Sequence, residues 1–304
     1  MGSDPTTLFD ALARGRARLV DAGVSPADAA IDVDVYARAI LGWDKATLVA
    51  SQRDAAPASF EPRFSEWIAR RQRREPTAYI LQRREFWGRE FLVTPAVLVP
   101  RPETEFIVEE SVPLVRDAPA PRIADIGTGS GILAVTLASE LPRATIVATD
   151  LSGAALGIAR ENARRLGVAD RVTFIETSYL DGIDVLFDLI VANPPYVKDG
   201  DKPALARDVR HEPDVALFGG PDGLRDVGGV LDAAARKLGP GAWFVMEFGY
   251  GQEGDVRRLV GARPTLRLDR VRDDLQGIAR TAVIQHGRTH RRQPSTVNPG
   301  SSNG

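Results

Sequence analysis

The sequence predicts an α/β protein: a mainly parallel sheet with helices on both faces, preceded by a small all-helical domain. Three observations lead there. Strand and helix patterns alternate from residue 122 onward, a glycine-rich turn follows the first of those strands directly, and the first quarter of the chain shows helical stripes without β-alternation. Within residues 6–75, Leu8, Leu12, Leu19 and Val20 make the first stripe. Ser25-Pro26-Ala27-Asp28 reads as an N-cap with proline at N1, and the stripe Ala30, Val33, Tyr36, Ala37 and Ile40 stops at Gly42. A third helix, 59–74, ends in Arg70-Arg71-Gln72-Arg73-Arg74.

The pattern changes at residue 84. Glu85-Phe86-Trp87-Gly88-Arg89-Glu90-Phe91-Leu92-Val93 sets aromatic residues either side of a glycine, as a short hairpin does. In Leu98-Val99-Pro100-Arg101-Pro102-Glu103-Thr104-Glu105, two prolines stiffen an extended loop before a helix that begins near Glu103. Seven strands are then expected, at 123–126, 145–149, 172–175, 186–192, 242–248, 266–271 and 279–285, with helices at 131–140, 152–167, 223–238 and 252–260. The tail from Gly287 is polar, with Pro294, Pro299 and a closing Gly-Ser-Ser-Asn-Gly, and is expected to be disordered. The domain reading is therefore 1–83 helical, 84–102 hairpin and proline-rich linker, 103–286 sheet domain and 287–304 tail.

Composition narrows the chemistry. The 304 residues carry 39 basic and 41 acidic side chains for a net charge of −2, which implies no blanket attraction to nucleic acid or membrane. The absence of cysteine excludes disulfides, thiolate nucleophiles, iron–sulfur clusters and cysteine zinc sites. With only His211, His286 and His290, a histidine-rich metal site or a Ser-His-Asp hydrolase is poorly supported, and no metal is expected. No stretch approaches about 18 uninterrupted apolar residues, and the N-terminus lacks a basic region followed by an apolar run. A cytoplasmic protein with no membrane span is the expectation. Arginine outnumbers lysine 35 to 4, which a GC-rich coding sequence explains.

Asp125-Ile126-Gly127-Thr128-Gly129-Ser130-Gly131 follows the first strand and opens a helix. Glycines there permit a tight turn and close approach of a ligand, and the helix N-terminus favours an electronegative group. The next strand ends at Asp150, 23 residues after Gly127, where a carboxylate can accept hydrogen bonds from both hydroxyls of a ribose. The alternative for Asp150 is an N-cap before Leu151-Ser152. Together the two features argue for a cofactor containing a nucleoside. The G-x-G-x-G spacing leaves no obvious pyrophosphate seat and suits S-adenosylmethionine better than a dinucleotide.

The strand 187–192 runs into Asn193-Pro194-Pro195-Tyr196. Consecutive prolines remove two donors and rigidify the turn, so the Asn193 amide and the Pro194 carbonyl form a fixed acceptor pair suited to an –NH2 group. Tyr196 offers a face for a planar group. This is the most specific signal in the chain.

With these residues in view, the chain resembles class I methyltransferases that act on exocyclic or amide nitrogens. More narrowly it is similar to the HemK/PrmC-type protein-(glutamine-N5) methyltransferases, which modify peptide chain release factors. Further stretches carry the match: Glu75-Pro76-Thr77-Ala78-Tyr79-Ile80, Arg84 to Gly88, Val99 to Glu105, and Glu212-Pro213 through Ala216-Leu217-Phe218-Gly219-Gly220-Pro221-Asp222-Gly223-Leu224. The resemblance spans roughly residues 25–285. It implies a Rossmann-like domain with a seven-stranded, mostly parallel sheet. It also implies S-adenosyl-L-methionine as cofactor, S-adenosyl-L-homocysteine as product, and the glutamine of a release factor's Gly-Gly-Gln motif as acceptor, in translation termination. Carried over by position, Gly127, Thr128, Gly129, Ser130 and Gly131 would surround the methionine part, Asp150 would hold the ribose, and Tyr179 would lie beside the adenine. Asn193, Pro194, Pro195 and Tyr196 would bind the substrate glutamine, with Asn193 also beside the cofactor and Asn193, Pro194 and Tyr196 as the catalytic set. The helical domain would recognise the protein substrate, and the enzyme would be a monomer that binds no DNA directly.

Two departures stand out. Ser178-Tyr179 occupies the place of the family's usual Asp-Trp pair, and Gly277-Ile278-Ala279-Arg280 lacks the acidic residue of the family's closing segment. Arg101 and Glu103 either line the cofactor pocket or cap the helix that begins there. His211 reads as a surface or loop-packing residue. The rival function is methylation of a nucleic-acid base amino group, for which the stretch 67–84, with six arginines and one glutamate, would be the basic face. That stretch reads equally as a solvated helix end or a docking surface. A non-catalytic binding module would show a broken Asn193–Tyr196 segment or a lost Asp150, and neither is seen.

Overall fold

The computed structural model describes residues 7–287. The chain begins with helices α1 (Leu8–Asp21), α2 (Pro26–Leu41), α3 (Lys45–Ala50), α4 (Phe60–Gln72) and α5 (Thr77–Leu81), followed by the hairpin β1 (Arg83–Phe86) and β2 (Arg89–Leu92). Next come α6 (Glu105–Val115), β3 (Arg122–Ile126), α7 (Ile132–Glu140), β4 (Thr145–Asp150), α8 (Gly153–Arg165), β5 (Val172–Glu176) and β6 (Phe187–Ala192). The remaining elements are α9 (Asp214–Leu217), α10 (Arg225–Lys237), β7 (Leu238–Glu247), α11 (Glu253–Gly261), β8 (Leu266–Asp273) and β9 (Ala279–His286).

Local chemistry accounts for the helix starts. Thr7, Ser25 and Asp44 accept hydrogen bonds from Asp10, Asp28 and Thr47 backbone N–H groups at the starts of α1, α2 and α3, and Pro26 sits at N1 of α2. The apolar stripes of these helices meet in one core that includes Leu8, Leu19, Val33, Tyr36, Phe60, Phe64 and Ile68, with Ile80 of α5 closing it. In the hairpin, Trp87 and Gly88 both take positive φ, at 52° and 66°, the backbone that a two-residue turn of matching twist demands. Trp87 N–H donates to Glu105 Oε1 over 2.8 Å, which pins the hairpin to the start of α6.

The seven-stranded sheet has the order β5-β4-β3-β6-β7-β9-β8. Strands β5, β4, β3, β6 and β7 are mutually parallel, and β9 runs antiparallel to both β7 and β8. Its central strands are apolar on both sides because helices cover both faces. Chain order runs outward from β3 to β4 and β5, then returns to β6 on the other side of β3. The loops that leave the carboxyl ends of β3 and β6 therefore diverge and open a crevice, the place where such sheets bind ligands.

All seven expected strands are present, with β7 starting at Leu238 rather than 242 and passing through Gly239-Pro240-Gly241. The helix expected near Glu103 begins as a 3-10 turn, Pro102–Thr104, before α6. The short helices α3, α5 and α9 and the 3-10 turns Asp199–Ala204 and Val209–His211 were not signalled by periodicity, which needs more than one or two turns to register. The expected disorder of the tail lies, from residue 288, outside the described residues. Among the described residues no helix is long and apolar enough to cross a membrane.

Candidate active site

Four loops at the carboxyl ends of β3, β4, β5 and β6 close around a cavity of about 310 Å³. Its wall includes Gly127, Thr128, Gly129 and Ser130 after β3, Asp150 at the end of β4, Tyr179 after β5, and Asn193, Pro194 and Pro195 after β6. Pro100 and Arg101 of the 98–105 segment close one side, so the pocket-lining alternative holds for Arg101, while Glu103 is not in the wall.

The glycine loop is built to admit a ligand. Gly127 and Gly129 have φ of 73° and 55°, and a Cβ at either would point into open space beside the cavity. Thr128 Oγ1 donates to Asp125 Oδ2 over 2.6 Å, and Asp125 Oδ2 also accepts from Ala134 N–H, so a buried carboxylate ties the loop to the first turn of α7. Burial pushes the Asp125 carboxyl up to about 7, and its Oδ1 has no partner among the described residues. Gly131 departs from the expectation. It lies outside the cavity wall, as the N-cap of α7, where a Cβ would press on Ala159 of α8 at 3.1 Å. Its glycine serves helix packing.

Asp150 lies in the cavity wall and is not the N-cap of α8. Its Oδ2 accepts from Gly129 N–H and its Oδ1 from Ser152 N–H, both at 2.9 Å, so the carboxylate joins the two loops and turns the chain into α8. The N-cap itself is Ser152, whose Oγ accepts from Ala155 N–H. Each carboxylate oxygen keeps a second lone pair for hydroxyl donors. Tyr179 takes an unusual φ of 48°, its carbonyl accepts from Thr149 Oγ1, and its hydroxyl donates to Asp226 Oδ1 over 3.0 Å. That brings an acidic residue, Asp226, to the cavity wall beside Tyr179. Burial, then Asp226, pushes the Tyr179 hydroxyl up to about 12.

Among the described residues, neither Asn193 Oδ1 nor the Pro194 carbonyl takes part in a hydrogen bond, although both residues line the cavity. Asn193 instead uses Nδ2, which donates to Thr104 Oγ1 over 3.0 Å. Tyr196 is not in the wall: its hydroxyl donates to Glu247 Oε1 over 3.0 Å, and it lies behind the turn. Glu247 is buried at the end of β7 and also accepts from Thr104 Oγ1 over 2.7 Å. Burial pushes the Glu247 carboxyl above its ordinary range, while the Thr104 and Tyr196 hydroxyls pull the other way; Glu103 pushes it up and Arg280 pulls it down. The nearby negative charge of Glu247, then burial, drives the Tyr196 hydroxyl far above its usual value.

The segment 212–224 acts as a strap over this turn. Val197 pairs with Phe218, and Gly223 approaches so closely that a Cβ there would collide with the Tyr196 carbonyl. Gln252 Nε2 donates to the Tyr196 and Gly223 carbonyls, closing the strap. Glu212, buried, accepts from Val99 N–H and from Arg101, and so fixes the segment opposite. His211 Nε2 lies 3.0 Å from the Arg73 carbonyl, a loop-packing role, and no group of metal-ligating residues occurs among the described residues.

Sequence reasoning gave no role to Thr104, Glu247, Asp226, Gly229 or Gln252. Their partners lie on other elements, 47 residues away for Asp226 and Tyr179, 56 for Gln252 and Tyr196, and 143 for Thr104 and Glu247. Only Gly228-Gly229 inside an otherwise good helix carried a local signal: a Cβ at Gly229 would collide with the Tyr179 ring.

Comparison with known proteins agrees with this arrangement. Residues 10–81 match the family described as PrmC N-terminal domain, and residues 109–217 match the Methyltransferase small domain. Among solved structures, the hMettl16 catalytic domain in complex with an RNA hairpin from the MAT2A 3′UTR superposes with a TM-score of 0.54 at 14% identity, covering 73% of this chain and 80% of that one. A methyltransferase from Pyrococcus furiosus gives 0.51 at 18% identity, over 66% and 91%. Both likenesses concern the fold. Two curated relatives are much nearer. The release factor glutamine methyltransferase of Bradyrhizobium diazoefficiens is 42% identical over 83% of this chain and 86% of its own. That of Moorella thermoacetica is 40% identical over 89% and 95%. Matched at this level along nearly the whole length of its relatives, the chain belongs to the release factor glutamine methyltransferases.

Proposed function

We propose that the protein transfers a methyl group from S-adenosyl-L-methionine to the side-chain amide nitrogen of the glutamine in the Gly-Gly-Gln motif of peptide chain release factors. One observation carries the reading: two acceptors, Asn193 Oδ1 and the Pro194 carbonyl, belong to residues of the cavity wall and have no donor among the described residues. A pair of open acceptors is the complement of an –NH2 group.

The residues present fit the cofactor. Gly127 and Gly129 leave open the space a Cβ would occupy, Asp150 keeps lone pairs for two ribose hydroxyls, and Tyr179 offers a flat face whose neighbour Asp226 is a further acceptor. Thr128, Ser130 and Asn193 complete that part of the wall. When bound, S-adenosylmethionine supplies a methyl group on a sulfonium, with its leaving group built in and S-adenosylhomocysteine as product. Delocalisation makes an amide nitrogen a poor nucleophile, so the task of the chain is alignment. Asn193 and Pro194 accept the two N–H bonds and hold the nitrogen toward the methyl carbon. Pro195 keeps the turn rigid. Tyr196 braces the turn from behind through its hydroxyl on Glu247. The nitrogen sheds its extra proton to solvent after transfer, so no strong base is required.

Residues 1–83 serve as the substrate-recognition domain, joined through 84–102 to the catalytic domain 103–286. We place the reaction in the cytoplasm, with the enzyme a monomer that makes no direct contact with DNA. The arginines of 67–84 favour a protein substrate over a nucleic acid, because Arg70, Arg71, Arg74 and Arg83 already pair with Glu75, Asp32 and Asp208, Asp208, and Glu90. A filter assay with labelled cofactor, offering release factor, ribosomal RNA and DNA as acceptors, tests the assignment. Label is expected in the release factor; label in either nucleic acid instead would support the base-methylating alternative.

A further inference from the structure

A substrate amide needs Asn193 to present oxygen, and an asparagine amide can present either end to a cavity. The surroundings decide which. Thr104 is fully buried at the end of the 3-10 turn before α6, and its hydroxyl has one proton. That proton is committed to Glu247 Oε2 over 2.7 Å, so toward Asn193 Thr104 Oγ1 can only accept. It therefore takes Asn193 Nδ2 at 3.0 Å and leaves Oδ1 for the cavity. The other oxygen of Glu247 takes the Tyr196 hydroxyl proton, which has no other acceptor among the described residues. One buried carboxylate thus fixes both ends of the Asn193–Tyr196 turn through two hydroxyls.

We propose that Thr104, held by Glu247, is a positioning residue that sets the polarity of the Asn193 amide. The proposal rests on the reading of Asn193 as the acceptor for the substrate –NH2 group. Were Thr104 free to donate toward Asn193, it would draw Oδ1 and turn Nδ2 into the cavity. A donor would then face a donor, and the substrate nitrogen would lose one of the two contacts that align it.

Thr104→Val removes the hydroxyl at nearly constant volume, and Thr104→Ser restores it. In Glu247→Gln, one hydroxyl must face the new –NH2 group. Thr104 is the one that can, since its proton finds Oδ1 of a flipped Asn193, whereas the proton of Tyr196 finds nothing. The test measures kcat on a release factor, cofactor affinity by calorimetry and thermal stability for these variants, alone and combined with Asn193→Ala. Thr104→Val and Glu247→Gln should each lower kcat by about tenfold to a hundredfold with cofactor affinity unchanged. Thr104→Ser should stay within about threefold of the parent, and neither Thr104→Val nor Glu247→Gln should lower kcat further once Asn193 is alanine. A general structural defect would lower kcat in both backgrounds. Parental kcat in folded Thr104→Val or Glu247→Gln, or an equal loss in the Asn193→Ala background, overturns the proposal. Parental turnover by Asn193→Ala alone would instead remove the acceptor reading beneath it.

Discussion

Asp125 is fully buried beside the glycine loop, and its carboxyl is pushed up to about 7 by burial against two hydrogen bonds that pull it down. A carboxyl raised in the folded state stabilises the fold below its unfolded value of about 4, and that contribution is lost as pH rises toward about 7. Asp125→Asn cannot ionise and keeps an oxygen for Thr128 and Ala134. Thermal unfolding of both proteins without cofactor should therefore show the variant gaining on the parent between about pH 4 and about pH 7. A constant difference would show that Asp125 does not titrate there. At this scale the residues that announce themselves in sequence are those with local consequences. Glycines at a strand end and two prolines after another are read without knowing what lies opposite. Thr104 and Glu247 could not be read that way, because each becomes functional only through a partner supplied by the assembled sheet.

The sheet strands and longer helices follow from apolar runs and stripes that hold wherever the chain folds, and these were legible. The pairing of short elements was not: α5 is five residues long and is held by Tyr79, whose hydroxyl donates to the Val97 carbonyl. Helix α10 shows the two levels in conflict. Alanine in place of Gly229 would favour the helix by about 1 kcal/mol, yet its Cβ would collide with the Tyr179 ring at the cavity wall. Gly229→Ala should therefore retain the fold and lose about tenfold or more in cofactor affinity by calorimetry. Unchanged affinity would show that the seat of Tyr179 does not bear on the cofactor.

Across the whole molecule, the helical domain is bound to the catalytic one by charge as well as by apolar contact. Arg71, 6% exposed, lies between Asp32 of α2 and Asp208 of the loop after the Asn193–Tyr196 turn, and Arg74 reaches the same Asp208. Removing the central cation leaves the buried Asp32 carboxylate without a cation, while Asp208 keeps Arg74, so Arg71→Ala should lower stability to chemical denaturation by roughly 3–5 kcal/mol. A loss below about 1 kcal/mol would mean that water replaces the arginine freely. In the sequence this arginine is one of six across 67–84, a stretch that reads as a basic face, a solvated helix end or a docking surface; only folding shows that its charge points inward. We place the chemistry in the cavity whose wall carries Asn193 and Pro194 beside the glycine loop. Incubation with methyl-labelled S-adenosylmethionine and an intact release factor, followed by peptide mapping, tests it most directly. The prediction is one added methyl group on the side-chain nitrogen of the Gly-Gly-Gln glutamine, strongly diminished with Asn193→Ala. A label on any other residue, or an undiminished label with folded Asn193→Ala, would contradict it.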